Sequence, residues 1–190
     1  MAWKHVLLCQ TVSCACALLA GCVTPPDTHR PSAGEDSRVV ISLTNHDYDL
    51  AAQALLTELL TRLPKGYVVG LGPVDTSDTP YNVQVKTIQK ALMVAFNKDG
   101  TLKFSSRDAT KSRGCDQAIQ DFREYNRWVK EEGERISEVN GVLCGRVSST
   151  EVSLKDGGRQ VTYVFTWELH DTIKDELLVS HNYPLTKNVR

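Results

Sequence analysis

The strongest constraint on the fold is a change of pattern two-thirds of the way along the chain. Before it, apolar residues recur at helical spacing. Leu55, Leu56, Leu59, Leu60 and Leu63 fall on one wide face of a helix over Leu50–Leu63, with Asn45, Asp47 and Asp49 as N-cap candidates. Pro64-Lys65-Gly66 stops that helix, and Tyr67–Leu71 reads as a short buried strand. Asp78 and Pro80 suit the start of a second helix, with Tyr81, Val85, Ile88, Leu92, Ala95 and Phe96 as its stripe and Asn97–Gly100 as its close. Thr101–Ser105 is a short strand, Ser106–Gly114 a polar, basic loop, and Cys115–Glu134 a third helix. After it, Gly141–Leu154, Arg159–Asp171 and Glu176–Tyr183 read as strands, with a hairpin signal at Asp156-Gly157-Gly158. Val39–Leu43 is a β-branched run, either a strand or an extended lead-in. The order is roughly (β)αβαβαβββ. It predicts an α+β fold, a single mixed sheet flanked by helices, over residues 39–190.

The N-terminus carries a different signal. Met1-Ala2-Trp3-Lys4-His5 is a short n-region, and Val6–Leu19 is apolar and uncharged but too short to span a bilayer. Leu19-Ala20-Gly21-Cys22 then gives an aliphatic residue, two small residues and a cysteine, the lipobox pattern of bacterial lipoproteins. Residues 1–21 are therefore expected to be removed as a signal peptide. Cys22 is expected to receive diacylglycerol on its thiol and an acyl chain on its amine, and two or more chains anchor stably. Val23, rather than aspartate, follows the cysteine, which by the usual sorting rule points to the periplasmic face of the outer membrane. Residues 22–38 contain Pro25, Pro26, Pro31 and Gly34 with almost nothing apolar, and form a tether. Fully stretched, Val23–Arg38 reaches about 55 Å.

Chemistry-bearing motifs are scarce. The whole chain has 190 residues and a net charge of −1, so no basic excess points to nucleic acid. None of the five histidines sits four residues from another or beside a cysteine at ligand spacing. Gly70-Leu71-Gly72 follows a strand, but no third glycine follows at the needed position and Pro73 interrupts; it reads as a strand-end turn. There is no Gly-x-Ser-x-Gly elbow and no Walker loop. No enzyme activity, cofactor beyond the lipid, or small-molecule substrate is expected. Of the six cysteines, Cys115 and Cys144 follow Cys22; they either pair in an oxidising compartment or remain two separate buried thiols.

The third helix carries one anomaly. Ala118, Ile119, Phe122 and Val129 share a face, while Trp128 lies about 100–120° from its centre with Tyr125 between. Tyr125 and Trp128, with Arg127 beside them, can form a partner patch, since these residue types are favoured at hot spots. Lys103, Arg107, Lys111 and Arg113 form a basic patch around the preceding loop.

The ordered set Tyr67-Val68-Val69-Gly70-Leu71-Gly72-Pro73-Val74, Thr76-Ser77-Asp78, Ile88-Gln89-Lys90-Ala91-Leu92, Leu143-Cys144-Gly145-Arg146-Val147-Ser148-Ser149, Val161–Asp171 and Leu178-Val179-Ser180 through Lys187 resembles the LpoB-type outer-membrane lipoproteins, the penicillin-binding protein activators. The resemblance covers about residues 42–189. It implies a fold like the N-terminal domain of TolB and a non-enzymatic regulator. Anchored in the outer membrane, such a protein would bind a bifunctional class A penicillin-binding protein and stimulate peptidoglycan synthesis. The short tether favours an alternative, a structural or secretion and assembly lipoprotein of the outer membrane that uses the same fold.

Overall fold

Helix α1 spans Asn45–Arg62 and begins with a reciprocal cap. Thr44 is the N-cap: its hydroxyl accepts from the Asp47 amide, and the Asp47 carboxylate accepts from the Thr44 amide at 2.7 Å. The cap thus lies one residue ahead of the Asn45, Asp47 and Asp49 expected from sequence, because only Thr44 has an acidic residue three positions on to close the box. The computed structural model describes residues 41–132, 137–155, 157–174 and 176–189. The leader, Cys22, the tether, Val39–Val40, Glu134 and Asp156 lie outside the described residues. Of the Val39–Leu43 run, Ile41 and Leu43 are buried against the core, and the described residues Ile41–Leu43 form no strand of the sheet.

The remaining elements are β1 (Val68–Asp75), α2 (Val85–Asp99), β2 (Lys103–Asp108), α3 (Cys115–Glu132), β3 (Gly141–Ser153), β4 (Arg159–Asp171) and β5 (Leu177–Val189). They build one mixed five-stranded sheet in the order β2-β1-β3-β4-β5. β2, β1 and β3 are parallel, and β3, β4 and β5 form an antiparallel meander.

This topology decides where the helices go. From β1 the chain crosses outward through α2 to β2; it then crosses back over β1 through α3 to reach β3. Right-handed crossovers in opposite directions put their helices on opposite faces. Accordingly α1 and α2 share one face with Val69, Leu143, Val147 and the inward residues of β4, whereas α3 packs on the other against Val68, Val142 and Cys144. The β4–β5 hairpin needs no helical crossover, and among the described residues no helix packs on its second face. There Thr162, Val164, Thr166 and Glu168 of β4 are half-buried, and Asn182, Pro184 and Thr186 of β5 are exposed.

Several expectations are corrected. The second helix starts at Val85, not near Asp78. Residues 76–84 lie pinned across the sheet instead: Thr79 and Ser149 hydroxyls bond at 2.7 Å, the Gln84 amide donates to the Tyr48 hydroxyl at 3.1 Å, and Tyr81 packs on Tyr163. Gly100, at φ 70°, ends α2 in the left-handed region where a side chain would be strained. β5 continues through Pro184 to Val189. Proline is tolerated there because β5 is an edge strand, where a missing donor need not break a ladder. Gly70 and Gly72 lie inside β1 rather than in a strand-end turn. A Cβ on Gly70 would stand 2.4 Å from the Phe122 ring, and one on Gly72 2.8 Å from Cys144 Sγ. These glycines let α3 approach the sheet.

Candidate partner-docking surface

Helix α3 is amphipathic, and its buried stripe of Ala118, Ile119, Phe122, Tyr125 and Val129 makes the smaller core. Two fixtures hold it. At its N-terminus a disulfide joins Cys115 to Cys144 on β3, with the Cα atoms 5.8 Å apart. Further along, the buried Asn126 amide donates to the Val139 carbonyl and accepts from the Val139 amide, both at 2.7 Å. Thr172 caps the same carbonyl at 2.7 Å, and Arg123 Nε donates to the Thr172 carbonyl at 2.7 Å. Every one of these bonds satisfies backbone that would otherwise be stranded between helix and sheet.

On the flank of α3 facing β2, three side chains adjoin. The Tyr125 and Trp128 rings lie with centroids 6.0 Å apart and planes 32° apart. The Arg107 guanidinium, from β2, lies 5.3 Å from the centre of the Tyr125 ring, within cation–π range. Tyr125 is 8% exposed and belongs to the core; Trp128 is 42% exposed. Tyr125 is therefore the support of the patch rather than its surface, and Trp128 and Arg107 are its exposed members. Among the described residues, the Arg107 guanidinium donates no hydrogen bond and closes no ion pair.

Below the ladder Asp121 accepts from the Ser112 hydroxyl at 2.6 Å and the Gln117 amide at 2.9 Å. Those bonds, with a smaller contribution from the charge of Arg107, hold its pKa below the usual carboxylate value. They also fix the loop before α3 to the helix. Sequence alone does not single out Asp121, because its bond to Ser112, nine residues earlier, is tertiary and leaves no spacing signal.

The other sequence-predicted residues separate. Arg127 is exposed, but as the neighbour of Trp128 it points about 100° round the helix and is not part of the ladder. Lys111 is exposed on the loop. Arg113 instead lines a crevice of about 630 Å³ beside the disulfide, together with Asp75, Arg146, Thr166 and Glu168. The expected single basic patch is thus divided between the ladder and this crevice, whose lining has both signs of charge. Arg146 stands 3.8 Å from Asp75 and 3.9 Å from Asp78. His170 lies 3.5 Å from Glu168, and among the described residues no group of three or more His, Cys, Asp or Glu is placed to hold a metal ion. No helix among them is long and apolar enough to cross a membrane.

A three-layer α+β domain with a lone disulfide-pinned helix over the parallel half of a mixed sheet is the class that this architecture defines. Within it the chain has the fold of the LpoB C-terminal domain. It aligns with that domain from Salmonella enterica at a TM-score of 0.52 and 16% identity, covering 73% of this chain and 98% of the other. The Escherichia coli domain aligns at a TM-score of 0.50 and 15% identity, covering 76% and 98%. No protein-family model and no curated protein sequence matches the chain.

Proposed function

We propose that this protein is a lipid-anchored, non-enzymatic regulator on the periplasmic face of the outer membrane, which binds and stimulates a bifunctional class A penicillin-binding protein. The observation behind this reading is the fold: the described domain aligns over 98% of the LpoB C-terminal domain. The Leu19-Ala20-Gly21-Cys22 lipobox supports a lipid anchor of the kind such a regulator needs. Acyl chains on Cys22 would hold the protein at the membrane, and the domain would supply the binding surface. The short Val23–Arg38 tether supports a second reading, an outer-membrane assembly or secretion lipoprotein.

Periplasmic cross-linking of the full-length lipoprotein in its own cells separates the two, with Cys22→Ala as the unanchored control. Recovery of a class A penicillin-binding protein, lost in the control, supports the activator reading. Recovery of outer-membrane assembly components alone replaces it with the second.

A further inference from the structure

We infer that the Cys115–Cys144 disulfide is a site of thiol–disulfide exchange in the folded protein. A thiolate entering the crevice attacks Cys115 Sγ, and opening the bond frees the N-terminal half of α3. This goes beyond the proposed function and holds whichever protein the domain binds.

Three observations converge on the bond. First, it is reachable. Both cysteines line the crevice of about 630 Å³, with Gly114 before Cys115 and Gly145 after Cys144. Neither glycine has a side chain to shade the sulfurs, and a Cβ on Gly114 would meet nothing within 4 Å. The lining sets Arg113 and Arg146 against Asp75 and Glu168, so it selects neither an anion nor a cation; what it leaves open is the disulfide. Second, the two sulfurs are unequal. Cys115 is half-buried, whereas Cys144 is 6% exposed, and its Sγ lies so close to β1 that a Cβ on Gly72 would stand 2.8 Å away. Exchange depends on access to the sulfur under attack, so the incoming thiolate meets Cys115. Cys115 is also the first residue of α3, where the helix dipole favours the thiolate that exchange finally releases. Third, the links of α3 are divided along its length. Arg123 and Asn126 tie its middle to Thr172 and Val139, while the disulfide ties its first turn to β3. Ser112 is bonded to Asp121, so the loop before α3 stays with the helix when the first turn is released.

With a dithiol the chemistry balances. Its first thiolate bonds to Cys115 Sγ, and Cys144 leaves as a thiolate that takes up a proton. Its second thiol loses a proton and attacks the dithiol's own sulfur in the mixed disulfide, releasing Cys115 as a thiolate. The dithiol is oxidised to a disulfide, and the protein's disulfide is reduced to a pair of thiols.

The other open surfaces carry less. The groove between α1 and α2, lined by Leu56, Ala91 and Val94, is apolar with nothing to define its occupant. The flank of α3 that bears Trp128 sets exposed Asp108, Glu124 and Glu131 beside Arg107.

The test uses the full-length lipoprotein extracted in detergent, with dithiothreitol as the dithiol and alkylation followed by mass spectrometry as the readout. The reduction rate should rise in proportion to dithiothreitol, and urea below the unfolding transition should change it by less than about twofold. A rate that levels off as dithiothreitol rises, or climbs with urea in step with global unfolding, shows that the bond opens only when the chain does and overturns the inference. Hydrogen exchange of the reduced protein should quicken over residues 109–118 and stay slow at Asn126 and Val139; equal loss at both ends overturns the release of one half. Glutathione disulfide should modify Cys115 in Cys144→Ser at least about tenfold faster than Cys144 in Cys115→Ser. Equal rates overturn the assignment to Cys115. The wild-type kinetics decide the matter even if either substitution unfolds the domain. In its own cells, the Cys144→Ser lipoprotein should carry a reducible adduct on Cys115. A protein adduct identifies an oxidoreductase as the source of the thiol, a low-mass adduct identifies a free thiol, and an unmodified Cys115 overturns the inference.

Discussion

Beneath α1 and α2 the sheet lays down Val161, Tyr163, Phe165, Trp167 and Leu169 from a single strand, all buried, with Val69, Leu143 and Val147 alongside. Beneath α3 it offers only Val68, Val142 and Cys144. The first face has enough apolar area to hold two helices by burial, at roughly 1.5–3 kcal/mol for each large side chain. The second does not, and it is held by discrete links: a disulfide, an asparagine bonded both ways to one residue, and the bond from Arg123 on α3 to Thr172 on the β4–β5 turn. The difference teaches where binding can be placed. A large core needs its helix faces turned inward, whereas a helix pinned by links can leave an indole and a guanidinium free on its flank.

The comparison is broken most forcefully from the large side. Trp167→Ala empties the middle of the α1/α2 core and is expected to cost about 3–5 kcal/mol, read by urea unfolding. Loss should be global, with amides in all three helices exchanging together. Were α3 to outlast α1 and α2, the two faces would be independent units rather than one domain with a major and a minor core.

The paired substitution Cys115→Ser with Cys144→Ser should cost about 2–4 kcal/mol. Its mark differs in kind. Hydrogen exchange should quicken first in α3, while α1 and α2 keep their protection. Uniform loss across the three helices would show that the disulfide stabilises the whole chain and does not specifically hold the smaller face.

Asp47 sharpens the larger face. Lys187 Nζ reaches its carboxylate at 2.6 Å across 140 positions of sequence, joining the start of α1 to β5. Burial acts to raise the Asp47 pKa, but the bonds from Lys187 and Thr44 outweigh it and hold the value below normal. A lowered folded pKa means that its stabilisation is complete above the unfolded value of about 3.9 and is lost as pH falls through the folded one. Asp47→Asn should therefore cost about 1–3 kcal/mol at neutral pH and progressively less in acid. A gap between wild type and variant that stayed constant down to acid pH would mean that neither the Lys187 pair nor the Thr44 bonds favour the charged carboxylate.

Much of this arrangement is written locally, and what is not depends on pairing at a distance. The α1 stripe, the α3 stripe and the β3–β4 hairpin are legible because periodicity and turn residues sit within a few positions of one another. The start of α2 is not, since Asp78 and Pro80 are good helix starters overruled by the bonds of Thr79 and Gln84 to β3 and α1. The run of β5 past Pro184 is not legible, because nothing local says that the strand will be an edge. Gly70 and Gly72 looked like a turn because their reason, Phe122 and Cys144, lies far along the chain. At the candidate site the same limit divides the residues. Tyr125 and Trp128 share a helix, so their proximity follows from spacing. Arg107 joins them only through the sheet, Arg127 turns away by helical geometry, and Arg113 passes to the crevice on the other side of the loop.

The smallest expected effect on stability is the most informative about the pinned face. Arg107 is exposed, and among the described residues its guanidinium meets the Tyr125 ring and acts on Asp121 only through its charge, so Arg107→Ala should cost no more than about 0.5–1 kcal/mol. Trp128→Ala should likewise leave most of the stability in place, because the indole is 42% exposed and its neighbour Tyr125 keeps its place in the core. Tyr125→Ala is the contrasting case. It removes a buried ring from the smaller core and the platform of Arg107 together, so stability and partner capture should fall in parallel. If Arg107→Ala and Trp128→Ala instead destabilised the domain as much as Tyr125→Ala, the ladder would be a structural strut of the small core. A loss of partner capture at nearly unchanged stability in those two variants alone is the signature of a surface whose rigidity comes from the links beneath it.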